Sequence, residues 1–527
     1  MKEFIKKNKI TILLVLVIIF GAFFRLYHFS DLVRFNTDQV RDVEVVEKIL
    51  DGQEFPLLGP RAGGTFFKLG PVFYYLEAFS GFVFGNTPSG MALFTGILAV
   101  ASIPLLFFFL RYYFSGYISL FLILVYSLSF YVIKYSRFAW NPNIIPFFFI
   151  LFLLSLLKIM ESGNKKFGIW HISLIVSVGI GVQLHTLLLI LMPLLVAAAY
   201  AYIFYKEKKI YLMQLGIIIL AVLLFNLPFF IYDFQNEGKN IKNFFAGAEK
   251  KTTKNSSFID NFLKDGQFFV QGNTYAISSF EPQKNWVKAR KLLKFSSISE
   301  IIAATAGTLF FFFGLFYSIK RLLDERKNEK KTIFLGLVLL TVTLSFLILF
   351  PIANELNVRF FIILIFLPYI FLGLFVEFLL KSVHKKLAIA IILASFLLLA
   401  VFNIRTCAKT YNLENYTART SSYGGISVKE SRDISNFMYD LSKRNDLIEK
   451  SFFQSSFTFS HSVEYFNNKK GIELINLSKS QPNTGSIIFV ISDQKDIDKN
   501  MKEKENNYNL IDSMKTGRFT AFAFEKK

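Results

Sequence analysis

The sequence predicts an α-helical polytopic membrane protein of about 11 transmembrane helices with a small extracytoplasmic C-terminal α/β domain. Three observations carry this. Of 527 residues, 53% are hydrophobic and 18% charged, where a soluble domain carries about 25% charged, and the mean hydropathy is +0.44. Apolar runs of about 20 residues, the length that crosses a bilayer, recur along the chain. The 59 Lys and Arg residues outnumber the 38 Asp and Glu and gather in short clusters between those runs. That is the pattern of cytoplasmic loops, and no nucleic-acid motif accompanies the charge. With 29 Gly and 13 Pro, collagen-like and disordered chains are excluded. The sole cysteine, Cys407, excludes an intrachain disulfide framework, and the five histidines include no pair at HExxH spacing.

The first apolar run, 10–24, follows a basic start but has no small-residue cleavage site after it, so it reads as a span rather than a secretory signal. Further spans are expected near 91–110, 117–133, 144–159, 168–184, 187–204, 211–232, 301–319, 333–351, 360–380 and 387–403. A twelfth stretch, Val72–Phe84, is short and interrupted by Glu77 and Gly81. The basic clusters at 2–9, Arg111, 158–166, 206–209, 320–331 and 381–386 alternate correctly only if that stretch does not cross, so it is expected as an interfacial or re-entrant helix. The positive-inside rule then places a multi-pass chain in the cell (plasma) membrane with its N-terminus cytoplasmic. Segments 25–90, 134–143, 233–300 and everything after 403 fall on the outer face. The expected division is a membrane domain at 1–404 and an extracytoplasmic domain at 405–527. In the latter, 431–441 reads as an amphipathic helix, and 486–491 and 518–524 as strands.

The first outer loop holds the densest chemistry. From Asn36 to Gly52, Val43, Val46, Ile49 and Leu50 recur at helical spacing, with Thr37 and Asp38 at the expected N-cap. The helix is short and amphipathic, suited to the membrane surface. Asp38, Arg41 and Asp42 share its first turns. They read either as a cap and a solvated ion pair or as groups facing lipid phosphates. A Gly/Pro-rich segment carrying Arg61 and Lys68 follows and leads into the aromatic stretch containing Tyr74, bringing cations and N–H groups within reach of an anion. Later, Arg137, Asn141, His185 and Arg359 stand at outer span ends. Each has a plainer reading: Arg137 and Arg359 as interfacial anchors, Asn141 as an N-cap before Pro142, His185 as a satisfied interfacial side chain, Tyr74 as packing.

Asp38-Gln39-x-Arg41, the helix ending at Gly52, and Lys68-x-Gly70-Pro71-x-x-Tyr74-Tyr75-Leu76 together resemble the first outer loop of the GT-C glycosyltransferases. The likeness is to the protein O-mannosyltransferase and aminoarabinose-transferase branch, a glycosyltransferase family 39-like pattern. Ser136-Arg137-Phe138-Ala139-Trp140-Asn141-Pro142, Gln183-Leu184-His185 and Arg359-Phe360 follow in the order the family shows. Three departures stand out: Gln39 where the family pairs a Glu with its catalytic Asp, Lys-Leu-Gly-Pro for Lys-Pro-Pro, and Asn141 where several relatives carry an acid.

The resemblance implies transfer of a sugar from a polyprenyl-phosphate donor held in the membrane lipid to an acceptor hydroxyl on a glycan, lipid or protein, with inversion. By carry-over Asp38 is the general base. Lys68 and Arg359, with Arg137, meet the leaving phosphate. Arg41 holds Asp38 or contacts substrate, and Asp42, Tyr74, Asn141 and His185 complete the binding set. Because Asn is a poorer ligand than a carboxylate for a hard cation, no cofactor is expected, a divalent metal being the alternative. Other function classes compatible with the chain are a transporter or flippase of lipid-linked sugars and a surface-polysaccharide polymerase or ligase. The former usually shows internal repeats and broken midplane helices, and no repeat is evident.

Overall fold

Every one of the eleven expected spans coincides with a helix in the computed structural model, which describes residues 8–162, 167–252, 257–280, 298–411, 425–444, 450–455, 457–477, 482–493, 496–504 and 506–527. Among the described residues, seven helices are long and apolar enough to cross a bilayer: Lys9–Leu26, Pro88–Leu110, Asn141–Glu161, Thr186–Glu207, Glu300–Asp324, Glu329–Glu355 and Lys385–Tyr411. Two more spans are bent pairs, Leu212–Phe225 with Leu227–Gln235 at 61° and Val358–Leu364 with Leu367–Ser382 at 67°. In both, a proline (Pro228, Pro368) sits in the first turn of the second helix, where its missing N–H is harmless but a straight continuation is blocked. The last two expected spans are the 13-residue helices Gly116–Leu128 and Ile169–Gly181. Val72–Phe84 forms a helix of the same length.

Gly116–Leu128 stops at Ser129, which caps a second short helix, Phe130–Tyr135. The break frees backbone groups inside the bundle, and several find substitutes. The Phe130 N–H donates to Asn403 Oδ1 at 2.7 Å, the Val132 N–H donates to the Ser129 hydroxyl at 3.3 Å, and Arg25 donates to the Ser127 and Tyr126 carbonyls at 3.1 and 3.4 Å. Irregular backbone is tolerated at such depth only with substitutes of this kind.

The two ends of the bundle differ in kind. At one end the basic connections meet: Tyr112 donates to Glu161 at 2.7 Å, Lys330 pairs with Glu161 at 3.6 Å, Lys206 pairs with Glu329, and Arg321 donates to the Tyr113 hydroxyl at 2.9 Å. At the other end the Thr37–Leu50 and Val72–Phe84 helices pack on each other, and the Lys239–Thr252 helix packs on the segment that joins them, through Asn240 to Lys68 and Lys251 to the Gly63 carbonyl.

The C-terminal unit is a five-stranded sheet in the order β2-β1-β3-β5-β4, with β1 Lys450–Gln454, β2 Glu473–Asn476, β3 Ile487–Asp493, β4 Tyr508–Thr516 and β5 Phe519–Lys526. The first three pair in parallel; β5 is antiparallel to β3 and β4. The strands expected at 486–491 and 518–524 are the buried β3 and β5, and the expected helix lies within Val428–Arg444. The mostly exposed β4 carries no apolar run and gave no signal. The unit is joined to the bundle: Val428 and Tyr465 belong to the main core, while residues such as Phe489 and Phe519 form the sheet's own.

Candidate active site

The helix that carries Asp38 begins one residue earlier than expected. Asn36, in extended backbone, is the N-cap, and with Gln39 it forms a capping box of the kind that satisfies two orphan N–H groups at once. Thr37 and Asp38 are therefore inside the helix. The Gln39 side chain is 3% exposed and does two jobs. Its Oε1 accepts the Asn36 N–H at 3.1 Å, and its Nε2 donates to the Ala139 carbonyl at 3.0 Å. The amide ties the connection after the first span to the segment leading to Trp140.

On the next turn the charges sort by depth. Asp38 is 61% exposed and Arg41 43%, whereas Asp42 is 1% exposed. Arg41 spans them, donating to Asp38 Oδ1 at 3.2 Å and, through Nε and Nη2, to Asp42 Oδ1 at 2.9 and 2.7 Å. Burial lifts the Asp42 carboxyl to about 6, against the pull of the Arg41 guanidinium, with the Tyr74 phenol beside it. Asp42 and Tyr74 thus lie behind Arg41 and are not among the residues that line the cavity.

Asp38 and Arg41 form one wall of a cavity of about 260 Å³, whose other walls bring in Arg61, Trp140, Asn141, His185, Lys251, Glu355 and Arg359. Arg61 arrives on a hairpin-like excursion closed by Gly59 N–H to Leu69 O at 2.8 Å and Leu69 N–H to Pro60 O at 3.0 Å. Arg359 is delivered by the 3-10 turn that opens the bent Val358–Leu364 pair, and its guanidinium lies 5.3 Å from the Trp140 ring, a cation–π distance. Asn141 does not act as an N-cap; Trp140 does, and Asn141 Nδ2 donates to the Leu184 carbonyl at 2.7 Å.

His185 caps the Thr186–Glu207 helix, its Nδ1 accepting the Leu187 N–H at 3.1 Å. Burial, with Lys251 and Arg359 nearby, holds the imidazole down at about 4. A neutral ring whose Nδ1 accepts must carry its proton on Nε2, so His185 is a donor toward the cavity and not a base.

Two expected contacts fall elsewhere. Arg137 is 2% exposed and gives its guanidinium to the carbonyls of Phe24, Arg25 and Tyr27 at 3.0, 3.0 and 2.5 Å. It caps the C-terminal end of the first span, acting as neither a phosphate ligand nor an interfacial anchor. Lys68 is exposed and does not line the cavity; its backbone is clasped by Asn240, which accepts its N–H and donates to its carbonyl, both at 2.9 Å. The neighbouring Gly70 packs so closely on Gln183 that a Cβ there would overlap the amide, and Gln183 Oε1 accepts the Val72 N–H at 3.2 Å. Lys251 carried no signal, being one lysine among several in its stretch; Glu355, the only acid between Glu329 and Glu377, was missed although it stands alone four residues before Arg359. Among the described residues no three His, Cys, Asp or Glu side chains are grouped to hold a metal ion.

A second cavity of about 240 Å³ adjoins the first. It shares His185, Thr186, Leu187 and Lys251 with it and is otherwise walled by apolar groups such as Ile190, Phe244, Ile348 and Pro351. Charge and N–H donors therefore sit at one end of a continuous space whose other end is greasy.

No family model matches the sequence. No curated protein matches it either. Solved structures do. The oligosaccharyltransferase of Archaeoglobus fulgidus in the apo form is similar with a TM-score of 0.54 at 12% identity, over 99% of this chain and 75% of that one. The archaeal enzyme AglB, from the same organism and in complex with an inhibitory peptide and a dolichol-phosphate, gives 0.52 at 12% identity over 99% and 75%. ArnT from Cupriavidus metallidurans bound to undecaprenyl phosphate gives 0.53 at 10% identity, over 98% of both chains. The likeness is one of architecture along nearly the whole chain, and it makes this a multi-pass membrane protein of the GT-C fold.

Proposed function

We propose that the chain is a membrane glycosyltransferase that moves a sugar from a polyprenyl-phosphate donor to an acceptor hydroxyl on the outer face, with inversion. The observation that carries this reading is the meeting of two accessible carboxylates, Asp38 and Glu355, with Arg61, Lys251 and Arg359 in one cavity, beside an apolar one. A phosphate on a lipid tail needs that combination. Support comes from the similar structures of ArnT with undecaprenyl phosphate and AglB with dolichol-phosphate.

The sidedness follows from chain order. The polar residues of the cavity come from the connections after the first, third, fifth, seventh and ninth spans, and the basic clusters from the connections after the even ones. A cytoplasmic basic end puts the cavity outside and the C-terminal unit with it, in the cell membrane.

Asp38 takes the proton from the acceptor O–H as that oxygen attacks the anomeric carbon. The bond from that carbon to the phosphate oxygen breaks, and the electron pair leaves with the phosphate. Its charge is met by the three cations and by His185 Nε2–H, preorganised donors aimed at developing charge. Arg41, clamped by Asp42, keeps Asp38 aimed. Cations face the phosphate, and Asn141 is a poorer ligand for a hard cation than a carboxylate, so the reaction is proposed as metal-independent.

The test is transfer from a panel of radiolabelled polyprenyl-phosphate sugars into membrane acceptors, wild type beside Asp38→Asn. Transfer that falls about 100-fold in the variant, the size of a lost general base, supports the reading. Undiminished transfer returns Asp38 to ion pairing. Labelled donor that crosses proteoliposome membranes without forming product supports a transporter.

A further inference from the structure

We infer that the C-terminal unit is a brace for the catalytic helix: the 425–428 strand and the Phe457–Asn468 helix fix both ends of Thr37–Leu50 and so aim Asp38 into the cavity. The inference rests on the reading of Asp38 as general base.

At the N-terminal end the contact is main chain. Residues 33–35 run antiparallel to 426–428 through the Arg34–Ser427 bridge. The Phe35 N–H donates to the Ile426 carbonyl and the Val428 N–H to the Val33 carbonyl, both at 2.9 Å. One residue on, the Ile426 N–H donates to Asn36 Oδ1 at 3.2 Å. Asn36 is the N-cap of the Asp38 helix, so one side chain serves the helix and the C-terminal strand together. Gly425 approaches so closely that a Cβ would overlap the Asn36 amide.

The other contacts come from the Phe457–Asn468 helix. Ser462 donates to the Phe35 carbonyl, and the Phe35 ring meets those of Tyr465 and Phe466 edge-on at 5.3 and 5.7 Å. Near the far end of Thr37–Leu50, Glu47 accepts from the Tyr465 hydroxyl at 2.5 Å and pairs with Lys469 at 2.9 Å. Val33, Phe35, Ile426, Ser427 and Val428 are all buried, so this is packed interior and not a surface encounter. An exposed pair, Arg432 with Asp31 at 3.2 Å, adds little. With Asn36 and Glu47 both held, Thr37–Leu50 cannot tilt or turn without carrying the C-terminal unit along. A misplacement of about 1 Å at a catalytic group costs on the order of 100-fold, so the brace acts on turnover and not on affinity.

The test is a double-mutant cycle in the full-length protein. Gly425→Ala pushes on the Asn36 amide and lowers kcat about tenfold, with donor KM unchanged within about twofold. In an Asn36→Ala background, where the amide is gone, the same change costs nothing further; such non-additivity marks direct coupling. Asn36→Asp, which keeps the oxygen that accepts Ile426 N–H, stays close to wild type. Additive effects, or a change confined to acceptor KM, overturn the brace. Hydrogen exchange of the first turn of Thr37–Leu50 is read on the same proteins and rises about tenfold in Gly425→Ala. If the wild type transfers no sugar, the proposed function fails on its own and exchange alone decides: unchanged protection overturns the brace. Should Gly425→Ala not accumulate, Tyr465→Phe, which removes the hydroxyl on Glu47, is read in its place with Glu47→Ala as the cycle's second variant and exchange of the last turn of Thr37–Leu50 as its readout; additive effects or unchanged protection there overturn the brace.

Discussion

Gln39 is the position where this chain leaves the pattern it resembles, and restoring the acid is the sharpest test of the local argument. In Gln39→Glu the oxygen that accepts the Asn36 N–H is kept, but the Nε2 donor to Ala139 is lost. A buried carbonyl left without its donor costs about 1–3 kcal/mol. A carboxylate oxygen would also face that carbonyl at a position 3% exposed, so the folded state favours the protonated acid, which can still donate. The sign follows. The introduced carboxyl has a folded-state pKa raised above its unfolded value of about 4.3, so the unfolded chain releases its proton first as pH rises. The variant is nearest to wild type below that value and loses about 1.4 kcal/mol per pH unit above it until the folded-state pKa is reached. Thermal unfolding of both proteins in detergent at pH 5 and pH 8, at fixed scan rate because membrane proteins of this size unfold irreversibly, reads the difference. A gap that widens from pH 5 to pH 8 is expected. A variant as stable as wild type at pH 8 would refute the reasoning.

Three further outcomes are expected. Asp42, lifted to about 6, holds Arg41 only when ionised, so transfer by the wild type declines as pH falls through about 6. Asp42→Asn abolishes that limb at a lower overall rate, measured as kcat/KM against pH. Arg359→Lys loses the guanidinium that lies 5.3 Å from the Trp140 ring and raises donor KM about tenfold, since the two cations are not equivalent at a site that combines a phosphate and an aromatic ring. Gly70→Ala overlaps Gln183 and frees the Val72 N–H, lowering stability by about 1–3 kcal/mol; unfolding midpoints of the variant alone and with Gln183→Ala check it.

The spans were legible because a bilayer demands continuous apolar length, and that demand is written locally. What was not legible is where they break. Ser129 in an apolar run looks like a tolerated polar residue until Asn403 and Arg25 are seen to serve the freed groups. In the site, Asp38 and Arg41 were readable as a pair because they share one helix, while Asn141, His185 and Arg359 were reached through order and likeness. Arg137 misled for a physical reason: an arginine at a span end looks the same in sequence whether it faces phosphates or three carbonyls. Lys251 shows the converse, since only tertiary packing selects one lysine from several. The departure at Gln39 was visible at once, but its use was not, because the Ala139 carbonyl lies 100 positions away.

The break at Ser129 bears on biogenesis. The amide of Phe130 is satisfied by Asn403, which lies on the last long helix, Lys385–Tyr411, made about 270 residues later. Until that helix emerges and docks, the third span holds an unanswered donor in hydrocarbon, a defect costing several kcal/mol. The nascent bundle is therefore marked as unfinished until its final segment arrives. A chain halted by a premature stop before Asn403 keeps the mark, giving the cell a chemical basis for telling a completed bundle from a truncated one.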